Sequence, residues 1–179
     1  MSDRMNDWKA VRTLLLVGEG DTEVAFLHHV RSIYAPRGCG LRVSVKNAHG
    51  KGAKHVIEWT AKQRGIADFD TVATLLDTDQ DWSDAVAKKA KAARIVVLKS
   101  EPLFEAMMLR VLGQCDTGDS KTLKARFAAF ANNDPLRAEN YGANFGRECL
   151  ESKQAAEPTI AALLALFRVK IRRFDQAAR

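Results

Sequence analysis

Thr13–Glu23 reads TLLLVGEGDTE, a short apolar run that ends in acidic residues. Further along the chain, residues 71–81 read TVATLLDTDQD and repeat this pattern. A continuous apolar run is typical of a strand that is buried on both faces of a parallel sheet. Functional groups of open α/β sheets lie beyond the carboxyl ends of such strands. We therefore expect Glu19 and Glu23 to lie close to Asp77 and Asp79 in space.

Four carboxylates in one small crevice repel each other unless a cation lies among them. Mg²⁺ and Mn²⁺ are the divalent cations that suit a site made only of oxygen ligands, so we expect Mg²⁺ (or Mn²⁺) as the cofactor. In an extended segment, Asp77 and Asp79 point to the same side because strand side chains alternate with a period of two. For Glu23 a second interpretation is open, since the helix dipole favours a carboxylate in the first helical turn.

Length and composition indicate a globular protein with a basic surface. The chain has 179 residues, of which 46% are hydrophobic, and this is enough for one domain with a buried core. The net charge is +6 and the sequence pI is about 9.4. A basic protein with an acidic metal site is expected if the substrate is a polyanion. An ordinary lysine-rich surface explains the charge equally well.

Cysteine usage and the amino terminus predict a cytoplasmic protein. Cys39, Cys115 and Cys149 lie far apart and form no CxxC pair, so neither a zinc site nor a disulfide framework is expected. The polar start, MSDRMNDWK, does not have the pattern of a signal peptide. No apolar run approaches the roughly 20 residues that cross a bilayer, so no membrane partner is expected.

Hydrophobic periodicity predicts alternating strands and helices. The predicted strands are Thr13–Val17, Leu41–Val45, Thr71–Leu76 and Ile95–Leu98. The predicted helices are Glu23–Tyr34 with Thr22 as its cap, His55–Arg64, Trp82–Ala93, one that begins at Pro102 and ends before Gly113, Lys121–Ala131 and Thr159–Phe174. We expect an α/β fold with a four-stranded parallel sheet flanked by helices, over residues 1–113. A helical carboxy-terminal extension, residues 114–179, is expected to pack on it.

Glycines flank the first of the acidic residues. Gly18 and Gly20 lie on either side of Glu19, where the first predicted strand ends and the first predicted helix follows. Glycine adopts backbone conformations that other residues avoid, so these two positions predict a sharp turn of the chain at Glu19.

Basic residues cluster in a loop and on one surface helix. The segment 47–55 reads NAHGKGAKH and leads into a predicted helix, where backbone N–H groups and lysines can meet a phosphate. A solvated turn is the alternative interpretation of this loop. The cations at the end of the last predicted helix could simply satisfy its dipole. The residues predicted to contact nucleic acid are Lys51, Lys54, Lys88, Lys89, Lys91, Arg172 and Arg173.

The order of these motifs resembles the Toprim domain, which is found in topoisomerases, bacterial primases and several nucleases. The form GEGDTE, followed by DTD after the third strand, is most similar to nucleases of the overcoming-lysogenization-defect family and to RloB-like proteins. The segment SEPLFEAMML, residues 100–109, is also similar to the N/S-x-P-x-F-E-x-x-L segment of RloB-like proteins. The resemblance covers residues 13–112 and implies a Toprim-like, Rossmann-like sheet.

This resemblance implies a Mg²⁺-dependent nuclease that acts on phosphodiester bonds, with phage defence as a setting and a separate ATPase as a partner. Asp77 and Asp79 would hold metal, and Glu19 would bind metal or act as general acid or base. Glu23 would serve a second metal. Glu101 and Glu105 are candidates for a further ligand or a group that supports the ligands, and Glu105 matches the Glu of the FE pair. From its position after the fourth strand, Lys99 could stabilise the transition state, or it could be a surface lysine.

Two other classes of function stay open. The first is a non-catalytic Toprim-like module that binds nucleic acid or a partner ATPase. The second is a phosphotransfer or nucleotide-binding regulatory domain. A receiver would need a lone phosphoacceptor Asp after the third strand, acidic residues after the first and a lysine after a fifth, whereas this chain has Glu after the first strand and only four clear strands. Covalent strand passage is not expected, because Tyr34 and Tyr141 are the only tyrosines and neither lies where that nucleophile would be.

Overall fold

The computed structural model describes residues 12–78 and 81–168, and its centre is a four-stranded sheet. The strands are β1 (Arg12–Gly18), β2 (Leu41–Asn47), β3 (Thr71–Asp77) and β4 (Val96–Ser100). They lie in the order β2-β1-β3-β4, and every neighbouring pair is parallel. This confirms the expected α/β class, and the sheet is consistent with a Toprim-like, Rossmann-like arrangement. Each strand ends one or two residues beyond its predicted end.

Helices cover both faces of this sheet. They are α1 (Asp21–Tyr34), α2 (Gly52–Ile66), α3 (Asp84–Ala92), α4 (Phe104–Val111), α5 (Ser120–Ala128), α6 (Arg147–Ser152) and α7 (Pro158–Leu166), with two 3-10 helices, Ala129–Ala131 and Ala138–Tyr141. Side chains of β1 alternate between the two faces, so that Leu14 and Leu16 join one hydrophobic cluster and Leu15 and Val17 join the other. The first cluster contains residues of α1 and α4–α7, and the second contains residues of α2 and α3.

The carboxy-terminal part of the chain contributes to the first cluster. Phe127, Tyr141 and Phe145 are fully buried there and pack against Phe26 of α1 and Phe104 of α4. Centroids of the neighbouring rings in this group lie 5.6–6.4 Å apart, which is the spacing of favourable aromatic pairs. Residues 114–168 therefore pack on the sheet domain through a shared apolar core.

Several helix boundaries differ from the predicted ones. The amino-terminal cap of α1 is Gly20 and not Thr22, because Glu23 reaches back to the Gly20 N–H in a capping box. Helix α4 begins at Phe104 after Leu103, so Pro102 precedes the helix and does not start it.

The carboxy-terminal third also differs from the prediction. Helix α7 ends at Leu166, where Phe167 caps it, whereas the predicted helix extends to Phe174. Residues 169–174 of that prediction lie outside the described part of the chain. The short helix α6 was not predicted, because six residues are too few for a hydrophobic period to show. No helix within the described ranges has the length and apolar character needed to cross a bilayer.

Candidate functional site

The strand order of the sheet reverses between β1 and β3, and we call the carboxyl edge of the sheet at this point the crevice. The chain passes from β1 outward to β2 and then crosses back to β3 on the other side of β1. Open α/β sheets bind their ligands at this kind of position. Glu19 follows β1 and Asp77 ends β3, and the backbone N–H of Asp77 donates to Glu19 Oε2 at 3.0 Å. The structure thus brings these two predicted residues together.

Glu23 belongs to the same site and also caps α1. Its Oε2 accepts a hydrogen bond of 3.1 Å from the Gly20 N–H, and only 8% of the residue is exposed. Glu23 therefore lies in the first turn of α1, where the helix dipole favours a carboxylate. Its role as a ligand for a second metal stays a prediction.

Helix α4 brings a fourth carboxylate to the crevice. Asp77 Oδ1 accepts a hydrogen bond of 2.8 Å from the backbone N–H of Phe104, the first residue of α4. Asp77 therefore satisfies one of the backbone donors that every helix leaves open at its start. Glu105 follows directly and is 6% exposed. The segment Leu103–Ala106 (LFEA) contributes to the site because its hydrogen bond to Asp77 joins the start of α4 to the end of β3.

The ionisation of these carboxyl groups shows that they act on one another. Burial, together with the nearby carboxylates of Glu23, Glu19 and Glu105, raises the pKa of Asp77 to about 8, against the effect of its backbone hydrogen bond. Burial likewise raises the pKa of Glu23 to about 7, with Glu105 and Glu19 acting in the same direction. Both effects disfavour the charged form of a carboxyl group. The four side chains form one electrostatic unit, which we call the acidic cluster.

The sequence did not predict that Tyr141 lies beside the acidic cluster. Tyr141 is fully buried, and its hydroxyl donates to Pro135 O at 2.9 Å and lies 3.3 Å from Thr22 O. Burial and the carboxylates of Glu23 and Glu105 raise the pKa of Tyr141. The Tyr141 ring also belongs to the aromatic group that packs around Phe26. No periodic pattern around Tyr141 could have revealed it, because the 3-10 helix that ends there has only four residues.

The carboxylate oxygens of the acidic cluster are the kind of ligand that Mg²⁺ prefers, but they do not already surround a position for an ion. Within residues 12–78 and 81–168, no group of three His, Cys, Asp or Glu side chains is arranged to hold a metal ion. Asp79 lies outside the described residues. The backbone hydrogen bonds to Glu19, Glu23 and Asp77 each use one carboxylate oxygen. An ion would need these side chains to turn towards it, with Asp79 as a further ligand.

A buried hydroxyl beside Asp77 supports the fit of a polar ligand. Ser100 pairs with Asp77 across β3 and β4, so both side chains project from the same face of the sheet. Ser100 is fully buried, and its Oγ has no hydrogen-bond partner in the structure. Buried hydroxyls are normally satisfied, so an orphan at this position is consistent with a site that gains a partner when occupied.

Lys99 lies on the other side of the sheet from Asp77. It pairs with Leu76, whose side chain is in the cluster under α2 and α3, and its Nζ lies 4.6 Å from the centroid of the Trp82 ring. Glu101, the next acidic residue, is exposed. The catalytic role predicted for Lys99 stays a prediction, and the structure gives this lysine an aromatic neighbour that the sequence did not indicate.

Five of the predicted nucleic-acid contacts lie within the described residues, on the layer formed by α2 and α3, which we call the basic layer. Lys51 and Lys54 are exposed at the start of α2, and Lys88, Lys89 and Lys91 are exposed on α3, which packs beside α2. One of them is already paired, since Lys89 Nζ lies 2.8 Å from Glu58 Oε1. The predicted contacts Arg172 and Arg173 lie outside the described residues.

The loop before α2 joins this basic layer to the acidic cluster. Four successive residues, His49 to Gly52, have left-handed backbone with φ between 61° and 80°. Two of them are not glycine, and such residues adopt this conformation only where the surroundings impose it. The Gly50 N–H donates to Glu19 O at 2.7 Å, and the Ala48 N–H donates to Gly18 O at 3.0 Å. The loop is thereby tied to the strand end that carries Glu19.

Comparison with protein-family models, with curated proteins and with solved structures gives no match for this chain.

Proposed function

We propose that this protein is a Mg²⁺-dependent nuclease of the Toprim type that acts on phosphodiester bonds of DNA or RNA in the cytoplasm. The observation that supports it best is the convergence of Glu19, Glu23, Asp77 and Glu105 at the switch point of the sheet. A basic helical layer beside an acidic cluster suits a polyanionic substrate. Phage defence, with a separate ATPase as a partner, is the setting that the Toprim resemblance favours.

Within this proposal, Glu19 and Asp77 hold the metal ion together with Asp79. Bound Mg²⁺ would neutralise negative charge on the phosphodiester and orient the attacking water. Glu23 and Glu105 are the ligands for a second ion. The backbone N–H groups of Asp77 and Phe104 position the Glu19 and Asp77 carboxylates, because each donates one hydrogen bond to a carboxylate oxygen.

The carboxyl groups of the acidic cluster also bind and release protons. Burial and crowding raise the pKa of Asp77 to about 8 and that of Glu23 to about 7, so both carboxyl groups hold protons at a higher pH than ordinary carboxyl groups when no cation is bound. A cation stabilises the charged forms, so these protons leave when an ion enters. The alternative role for Glu19, in place of metal binding, is to transfer a proton as general acid or base at the scissile bond.

The deciding experiment is a cleavage assay on supercoiled plasmid and on structured RNA with Mg²⁺, Mn²⁺ or EDTA. We expect cleavage with either divalent ion, none with EDTA, and a loss of roughly a hundredfold or more in Glu19→Gln. Glu139→Gln is the matched control, because Glu139 is an exposed residue that pairs with Arg137 at 3.6 Å. Equal loss in both variants, or cleavage that persists in EDTA, would contradict the proposal.

Binding should depend steeply on salt through the basic layer. Each phosphate contact that is lost lowers the slope of log K against log salt by about one, so Lys51→Ala should reduce this slope by about one. Lys124→Ala is the control, since Lys124 is exposed on α5, which packs on the opposite face of the sheet. The measurement is fluorescence anisotropy of a labelled oligonucleotide in EDTA over a range of salt concentrations. Equal slopes for Lys51→Ala and the wild type would remove Lys51 from the interface.

A non-catalytic binding module is the second candidate. It is favoured by one observation, namely that the described part of the chain contains no three side chains already arranged around an ion. Calorimetry with Mn²⁺ separates the two candidates. Metal binding that depends on Asp77, combined with no cleavage even after a partner ATPase is added, would favour the module over the nuclease.

A further inference from the structure

Trp82 is an aromatic residue beside the carboxyl edge that the proposed function does not yet use. It lies between β3 and α3, where part of its side chain packs against the hydrophobic cluster under α2 and α3 and part stays exposed. Lys99 Nζ lies 4.6 Å from its ring centroid, a distance typical of a cation–π contact. The lysine comes from the end of β4, so the indole lies against a charged group at the end of the sheet.

The same residue adjoins the basic layer. Asp81, which precedes Trp82, lies against Gly52, since a Cβ placed at Gly52 would be only 2.5 Å from Asp81 Oδ2. Gly52 is the first residue of α2 and follows the exposed Lys51. Helix α3 begins two residues after Trp82. Trp82 therefore lies where the starts of α2 and α3 meet.

Helices α2 and α3 give this region a strong positive charge. Each helix carries three lysine or arginine residues and one acidic residue, so that six cations stand against two carboxylates. The exposed lysines of α3 are Lys88, Lys89 and Lys91. Positive side chains that lie beside a partly exposed aromatic ring are a combination that binds single-stranded nucleic acid, because the cations hold phosphates while the ring stacks on a base.

We propose that Trp82, flanked by Lys99, is a stacking platform for an unpaired base, and that the substrate class of this protein is single-stranded DNA or RNA. The proposal rests on the proposed function only in taking nucleic acid as the partner. The phosphates of the nucleic-acid strand lie along α2 and α3, and one base stacks on the indole beside the acidic cluster. A continuous duplex offers phosphates to the same lysines but has no unpaired base face for the ring, since its bases are stacked on each other.

The test measures binding in EDTA, so that cleavage does not enter. Labelled single-stranded DNA and RNA oligonucleotides are compared with a blunt-ended duplex of the same length by fluorescence anisotropy. We expect the wild type to bind one or both single strands roughly tenfold more tightly than the duplex at equal salt. Trp82→Ala should remove roughly this tenfold preference, Trp82→Phe should keep most of it, and neither should change the salt slope. Trp59→Phe, in the middle of α2, is the control and should change nothing.

A second readout covers the case in which Trp82→Ala does not fold. The chain has three tryptophans, so replacing Trp8 and Trp59 with phenylalanine leaves Trp82 as the only one. Its fluorescence should be quenched by a saturating single strand and unaffected by the blunt-ended duplex. Equal affinity for both forms, or no quenching by any single strand, overturns the stacking proposal.

These results also separate the two proposals. Cleavage of plasmid duplex without single-strand preference would leave the nuclease proposal intact and refute the platform. Single-strand binding with Trp82 quenching, but no cleavage with any divalent ion, would do the reverse. A preference for RNA over DNA, or the opposite, identifies which single strand is the substrate.

Discussion

Asp77→Asn is expected to abolish divalent-ion-dependent cleavage and, at the same time, to make the metal-free protein more stable at about pH 8. Cleavage should fall by roughly a hundredfold or more, because the amide cannot supply the negative charge of a metal ligand. The amide oxygen of the variant can still accept the Phe104 N–H, so the start of α4 keeps its hydrogen bond. A gain in stability with a loss of activity is the signature of a residue retained for function.

The sign of the stability effect follows from the raised pKa of Asp77. The folded protein keeps the proton up to about pH 8, whereas the unfolded chain releases it near the ordinary value of 3.8. Stability therefore falls as pH rises between these two values, because the folded state binds more protons. The amide in Asp77→Asn has no such proton, so the variant should gain nothing at about pH 4 and about 1 to 3 kcal/mol at about pH 8.

Urea unfolding in EDTA at several pH values measures this difference. Asp70→Asn is the matched control with the opposite sign, since hydrogen bonds from Thr13 hold the pKa of Asp70 below its usual range. That variant should lose stability near neutral pH and keep its cleavage activity. Addition of Mn²⁺ should stabilise the wild type and leave Asp77→Asn unchanged. A variant less stable than the wild type at about pH 8 would show that the carboxylates of the acidic cluster do not repel each other.

Gly18→Ala is expected to destabilise the protein by about 2 to 3 kcal/mol, through overpacking between β1 and α1. A Cβ at Gly18 would lie 2.8 Å from Val24 Cγ2 and 2.9 Å from the backbone N of Val24. A side-chain atom could rotate away, but the backbone nitrogen moves only if α1 moves. Glu19 follows Gly18 and Glu23 precedes Val24, so a shift of α1 would move these two carboxylates apart from their present positions. Cleavage by the folded fraction should therefore also fall.

Gly65→Ala is the matched glycine control. Apart from its chain neighbours and the backbone of its own helix, no atom lies within 4 Å of a Cβ placed at Gly65, which is the penultimate residue of α2. Alanine is the better helix former, so this variant should be unchanged or more stable by up to about 1 kcal/mol. Thermal unfolding of the two variants side by side measures the contrast. Equal stability of Gly18→Ala and the wild type would show that α1 can move away from the end of β1 freely.

The structure changes the reason for the glycines around Glu19. Their sequence position predicts a sharp turn, yet neither Gly18 nor Gly20 has a left-handed backbone. Gly18 is needed for the close approach of α1, and Gly20 caps the helix through Glu23. Left-handed residues occur instead in the loop from His49 to Gly52, which the sequence predicts only as a loop. A glycine in the sequence shows that space or freedom is needed, but only packing shows which.

Local sequence patterns are sufficient to predict the sheet and the edge at which the carboxylates meet. Apolar runs at β1 and β3 require burial on both faces, and parallel strands place their carboxyl ends at one edge, so Glu19 and Asp77 had to converge.

The ionisation of these groups, in contrast, follows from tertiary packing, because their pKa values depend on burial and on carboxylates from other elements. Tyr141 ends a four-residue 3-10 helix, and the contact between Trp82 and Lys99 joins distant parts of the chain. Such contacts leave no periodic trace in a sequence, since they arise from long-range packing and not from local backbone preference.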